Sequence, residues 1–124
     1  VEDWQFNTVG QNFLRGYQIT DSKGIATFNT IFPGWYPGRA VHIHFKIRHQ
    51  KNGANYDFTS QLYFDEKDCN QIYSLAPYTE KGLGYIKNER DGIYRRGDGN
   101  QTKLNLEKTE KGYKALFEIG VEVS

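Results

Sequence analysis

One alternating segment, residues 40–49, constrains the fold of this chain more than any other. Apolar side chains at every second position alternate with small or polar ones: Val41, Ile43, Phe45 and Ile47 against Ala40, His42, His44 and Lys46. A period of two is typical of a β-strand that buries one face. The segment therefore predicts a strand, and with it a domain built on β-sheet.

The rest of the chain supports a β-rich fold. Aromatic residues make up 15% of the 124 residues and glycine occurs 13 times, which suits short strands and tight turns. We expect further strands at residues 58–64, 102–106 and 112–123, a turn at 21–24 between residues 13–20 and 25–32, and a short helix within 65–75 capped by Asp65. Residues 77–101 form a long polar loop or contain short elements. The prediction is all-β: a single domain over residues 1–124, an antiparallel β-sandwich with long loops and little helix.

Charge and cysteine content narrow the classes of partner and of site. Sixteen basic and 15 acidic residues give a net charge of +1, so we expect no nucleic-acid partner, and no apolar run suggests a membrane span. No signal peptide is visible, and the sequence leaves localisation open. The one cysteine, Cys69, rules out an internal disulfide and a CxxC metal site, and leaves open a partly exposed thiol or an interchain bridge.

His42 and His44 are the first candidate site. On a strand they point to the same face with Cα atoms about 6.5–7 Å apart, so both imidazoles can bind one metal ion. Two partly buried, hydrogen-bonded histidines are the alternative. Tyr36 lies in a loop of Pro and Gly residues, 33–39, from which its ring can fold back over the histidines. Phenolate and imidazole together suit a ferric ion; the alternative for Tyr36 is an amphipathic residue at the rim.

These motifs resemble those of a known family. The residues that carry the resemblance are Phe13-Leu14-Arg15-Gly16, Thr20-Asp21, Thr30-Ile31, Pro33-Gly34-Trp35-Tyr36, Arg39-Ala40-Val41-His42-Ile43-His44, Gln61-Leu62-Tyr63-Phe64, Leu75-Ala76-Pro77-Tyr78 and Phe117-Glu118-Ile119-Gly120-Val121. From about residue 13 to residue 121 the chain is similar to intradiol ring-cleavage dioxygenases of the protocatechuate and catechol type, in particular to their short, single-domain branch.

The resemblance implies a non-haem Fe(III) enzyme that cleaves a catechol-type ring with O2 to a muconate-type product. By the same resemblance, Tyr36, His42 and His44 are metal ligands, and Tyr36 is the tyrosinate that substrate displaces and that then serves as a base. Arg39 stabilises charge on the bound ring, and Gln61 lies near the substrate. The alternative for Arg39 is a surface ion pair, and without the resemblance Gln61 is an ordinary polar strand residue.

One feature departs from the family pattern. The family has a first tyrosine ligand upstream of the Phe-Leu-Arg-Gly segment, and residues 1–12 contain no tyrosine; Tyr17 falls where the family has no ligand. We expect either that an N-terminal part is missing or that the site has three protein ligands. The alternatives to the enzyme are a dioxygenase-like β-sandwich binding module without activity, and a zinc site on the same histidines. The sequence leaves open whether the chain forms a homo-oligomer.

Overall fold

The computed structural model of the chain describes residues 9–10, 12 and 14–122, and the chain divides into two units, Val1–Phe32 and Pro33–Ser124. The described residues of the first unit form no helix or strand. Their ordered feature is the predicted turn at 21–24, where the Asp21 carboxylate accepts hydrogen bonds from the backbone N–H of Lys23 and Ile25, both at 2.9 Å. Gly24 has a φ of +77°, which an L side chain rarely adopts, so glycine is strongly favoured there. Residue 13, the first residue of one predicted flank, lies outside the described residues.

A long hairpin forms the centre of the second unit. β1 (His42–Lys51) pairs antiparallel with β2 (Ala54–Phe64), from His42 opposite Tyr63 to Lys51 opposite Ala54. Asn52 and Gly53 connect the strands with φ of +52° and +78°, the conformation that a two-residue hairpin turn requires. The predicted strands at 40–49 and 58–64 are therefore confirmed, although the first begins at His42, and each extends further towards the turn.

In the described part of the chain, three short strands complete the sheets. β3 (Lys103–Leu104) pairs with β2 in parallel, whereas β4 (Glu107–Lys108) and β5 (Tyr113–Lys114) form a separate antiparallel pair. The strand expected at 112–123 is regular only over β5, since the described residues after it have no strand partner. The β-rich fold with long loops is confirmed, and the packing of two sheets into a sandwich stays a prediction.

The helix expected within residues 65–75 is α1 (Glu66–Tyr73), and Asp65 is its N-cap, accepting a hydrogen bond from the backbone N–H of Lys67. Cys69 lies on its inner face and is 1% exposed, because it packs in the core with Ile72 and Tyr73. The expectation from the sequence that this thiol is partly exposed is therefore wrong. Among the described residues no helix combines the length and apolarity that crossing a membrane would need.

Residues 77–101 contain short elements rather than one open loop. Three 3₁₀ helices, Tyr78–Lys81, Asn88–Arg90 and Gly99–Gln101, accompany α2 (Gly92–Arg96). The core they help to enclose lies at one end of the hairpin; its buried apolar side chains are Ala40, Val41, Tyr63, Phe64, Cys69, Ile72, Tyr73 and Leu104. This end of the hairpin is also where His42 and His44 lie, so the buried core of the described residues adjoins the candidate site.

Candidate metal centre

The loop before β1 places the Tyr36 side chain over the histidine pair. Gly38 has a φ of +85° and completes a turn at residues 37–39, so the chain folds back on itself between Tyr36 and the strand. The Tyr36 Oη consequently lies 3.1 Å from Nε2 of His42. With 45% of its surface exposed, Tyr36 is also accessible to a molecule from solvent.

The two histidines project from the same face of β1, as their spacing predicts, and their Nε2 atoms are 3.2 Å apart. Nδ1 of His42 lies 2.7 Å from the carbonyl oxygen of Ala40, which can only accept a hydrogen bond. Nδ1 therefore carries the proton, and in the neutral ring Nε2 presents a lone pair. This is the tautomer in which metal-ligating histidines are commonly held by a backbone carbonyl.

Both imidazoles favour the neutral form. Burial lowers the pKa of His42, and the positive charge of Arg39 lowers it further, although the hydrogen bond to the Ala40 carbonyl acts in the opposite direction. His44 is more exposed than His42, and the partial burial of its ring together with the charge of Arg39 lowers its pKa. Neutral rings are what a metal requires, because only the unprotonated nitrogen can bind it.

More atoms converge on His42 Nε2 than its one lone pair can accept hydrogen bonds from. The single in-plane lone pair of His42 Nε2 is approached by three atoms: Tyr36 Oη at 3.1 Å, His44 Nε2 at 3.2 Å and Arg39 Nη1 at 3.4 Å. Two ligand atoms that each lie about 2.1 Å from one ion at a right angle are about 3.0 Å apart. The separations in this cluster thus fit two imidazoles and a phenol oxygen arranged around one metal ion.

Arg39 extends this cluster towards the protein interior. Its Nε donates to Asp91 Oδ2 at 2.8 Å and its Nη2 to Gln61 Oε1 at 2.6 Å, while Nη1 lies 3.5 Å from Tyr36 Oη. Burial disfavours the charge on Arg39, but the hydrogen bond and the negative charge of Asp91 outweigh it and raise the pKa. The guanidinium is therefore a fixed positive charge beside the metal-ligand candidates.

Gln61 lies directly across the hairpin from His44, in register on the neighbouring strand. Its Oε1 accepts hydrogen bonds from both Arg39 Nη2 and the Tyr63 hydroxyl, the latter at 2.9 Å. Because both donors meet the oxygen, the orientation of the amide is fixed. Tyr63 itself is 2% exposed and pairs with His42, so it connects the site to the core.

All five site residues predicted from the sequence come together: Tyr36, Arg39, His42, His44 and Gln61. Sequence reasoning missed Asp91, which is 52 residues away from Arg39 in the chain. Its only local signal is an acidic residue just before a short helix, a common N-cap pattern that does not indicate a partner. In the part of the chain that the structure describes, no three His, Cys, Asp or Glu residues form a metal-binding group; the third donor in this cluster is the Tyr36 phenol.

Comparisons with known proteins give similar solved structures for the chain as a whole. An intradiol ring-cleavage dioxygenase from Tetranychus urticae is 39% identical, with a TM-score of 0.70 over 79% of this chain and 47% of that one. A second solved dioxygenase structure gives the same identity, TM-score and coverage. No protein-family model matches the chain, and no curated protein does. The chain therefore spans about half the length of these solved relatives, and the resemblance read from its motifs is confirmed.

Proposed function

Because this chain is similar in sequence and fold to intradiol ring-cleavage dioxygenases, we propose that it binds ferric iron and cleaves a catechol-type aromatic ring with O2. The ligands we propose are Tyr36, His42 and His44. The observation that carries the proposal is the approach of the Tyr36 oxygen and the His44 nitrogen to within 3.2 Å of His42 Nε2. Both oxygen atoms of O2 enter the muconate-type product, so the reaction needs no external reductant.

The bound ferric ion would activate the catechol ring towards O2. Tyr36 would take up a hydroxyl proton of the incoming catechol at its Oη, since a phenolate is strongly basic when it is not bound to a cation. Its 45% exposure lets it move outward as the substrate enters. The substrate side of the site is thus the side of the Tyr36 loop.

Arg39 and Gln61 would act on the bound ring. The fixed charge of Arg39 lies beside the ligand cluster and would stabilise negative charge that develops on the catecholate. The Gln61 amide has its oxygen bound by Arg39 and Tyr63, so its NH2 end is the one that can donate to a bound molecule. Together these residues hold a negatively charged planar ligand in one orientation.

A binding module or a zinc protein is the second candidate. The cluster offers three protein donors, and three donors with an open position also suit zinc. Metal content distinguishes both alternatives from the iron enzyme. The module binds no iron, and the zinc protein prefers Zn²⁺ when both ions are offered.

The direct test is product formation by the chain loaded with one ferric ion. With catechol in 18O2 we expect a muconate that contains two labelled oxygen atoms. Tyr36→Phe should lower the rate at least tenfold, whereas Tyr17→Phe, which changes a tyrosine that is 86% exposed, should leave it unchanged. An iron-loaded chain that forms no muconate would refute the activity.

A further inference from the structure

Both oxygens of the Asp91 carboxylate accept hydrogen bonds from the protein itself. It is 1% exposed, and its Oδ1 accepts the backbone N–H of Ile93 and Tyr94, which makes it the N-cap of α2. Its Oδ2 accepts the backbone N–H of Ala40 and Nε of Arg39, both at 2.8 Å. A buried carboxylate with four donors of this kind has one available orientation, so it is a rigid anchor.

The anchor fixes the arginine at two points. Asp91 Oδ2 accepts hydrogen bonds from the Arg39 side chain and from the backbone N–H of Ala40, the residue after it. The carboxylate therefore fixes both the backbone position beside Arg39 and the orientation of the Arg39 guanidinium plane. With Nε committed to Asp91, the two terminal nitrogens have fixed directions, Nη2 towards Gln61 and Nη1 towards Tyr36 and His42. Without the carboxylate, Nε would lose its acceptor and only the contacts of the two terminal nitrogens would restrain the guanidinium.

We propose that Asp91 is a positioning residue that holds Arg39, and through Arg39 the amide of Gln61, in the orientation that ring cleavage requires. This inference rests on the proposed function. It assigns to the short helix α2, which Asp91 caps, the role of carrying that anchor to the site rather than of contacting the substrate.

The kinetic test compares Asp91→Asn with Asn88→Ala in the chain loaded with ferric iron. Asparagine keeps an oxygen to cap α2 but loses the charge that holds Arg39. Asn88→Ala removes another buried hydrogen bond, from Asn88 Nδ2 to the Phe64 carbonyl, without touching Arg39. With rates normalised to bound iron, we expect kcat to fall at least tenfold in Asp91→Asn and to stay unchanged in Asn88→Ala.

Repeating Asp91→Asn in an Arg39→Gln chain separates positioning from general damage. If Asp91 acts through Arg39, the second substitution lowers kcat less than twofold further, because Arg39 is already gone. An equal fall in both backgrounds would overturn the proposal, since Asp91 would then act independently of Arg39.

A second measurement needs neither activity nor a stable Asp91 variant. In the metal-free chain, the Nε–H proton of Arg39, assigned by its disappearance in Arg39→Lys, should exchange with water at least tenfold more slowly than that of the exposed Arg48. Equal exchange rates would overturn the proposal. A protected Arg39 in an iron-loaded chain that does not cleave catechol would instead refute the proposed function and leave the Asp91–Arg39 anchor standing.

Discussion

His42, His44 and His49 lie on one strand, yet only two of them belong to the ligand cluster. His42 and His44 point to one face of β1 beside Tyr36, whereas His49 lies near the hairpin turn, opposite Tyr56. The spacing of the first two was enough to predict a shared face. Their convergence with Tyr36 depends on the turn at Gly38, and a pattern of Pro and Gly residues predicts that a turn exists but not where it directs a side chain.

This difference gives a matched test of the ligands. We expect His42→Ala and His44→Ala each to weaken iron binding at least 100-fold, because each removes one of three protein donors. His49→Ala should bind iron as the unsubstituted chain does. Iron content after equilibration with a competing chelator measures the effect, and equal iron retention in all three variants would contradict the assignment.

Helix α1 shows how a local signal can predict an element in full. Asp65 precedes the helix, and its carboxylate accepts the Lys67 N–H as the sequence pattern indicates. The short elements of residues 77–101 were not predicted individually, because helices of three to five residues carry no hydrophobic period long enough to recognise. Their positions depend on contacts elsewhere in the chain, such as the hydrogen bond from Ile86 N to the Arg39 carbonyl at 3.3 Å.

Loss of the Asp65 cap should destabilise the second unit measurably. We expect Asp65→Ala to lower the free energy of unfolding by about 1 kcal/mol, because a backbone N–H at the start of α1 loses its partner. Asp65→Asn keeps an acceptor oxygen and should retain most of that stability. Urea denaturation of the three chains, followed by circular dichroism, gives the comparison; an Asn variant as unstable as the Ala variant would argue against capping.

Two groups at the inner side of α1, the Cys69 thiol and the Tyr85 hydroxyl that donates to Asn70, should make the fold less stable at alkaline pH. Burial raises the pKa of the Cys69 thiol to about 12, and burial with the nearby Cys69 raises that of Tyr85 to about 12. In the unfolded chain these groups ionise at lower pH, so the folded state binds more protons and its stability falls as pH rises from about 9 to 12.

Unfolding by urea at pH 8 and at pH 10.5 measures this loss of stability. Cys69→Ala removes the thiol's share, so its stability should decline less between the two pH values than that of the unsubstituted chain. The same decline in both chains would show that the Cys69 thiol does not contribute.

At the scale of the molecule, the candidate site depends on contacts that are distant in the sequence. Tyr36, Arg39, His42 and His44 occur within nine positions, and these were predictable from the sequence together with Gln61. Asp91, which fixes the orientation of Arg39, reaches the site only through tertiary structure, whereas Tyr63, which fixes Gln61, lies two positions from it on the same strand. A sequence pattern therefore identifies the groups that carry the chemistry more readily than the groups that orient them.

The measurement that tests the central claim most directly is the visible absorption spectrum of the chain after loading with one ferric ion. Charge transfer from a bound tyrosinate should give a broad visible band and a red-brown colour, and Tyr36→Phe should abolish that band while His49→Ala keeps it. Addition of catechol should shift the band. A colourless iron-loaded chain, or a band of equal strength in Tyr36→Phe, would contradict a metal centre built on Tyr36, His42 and His44.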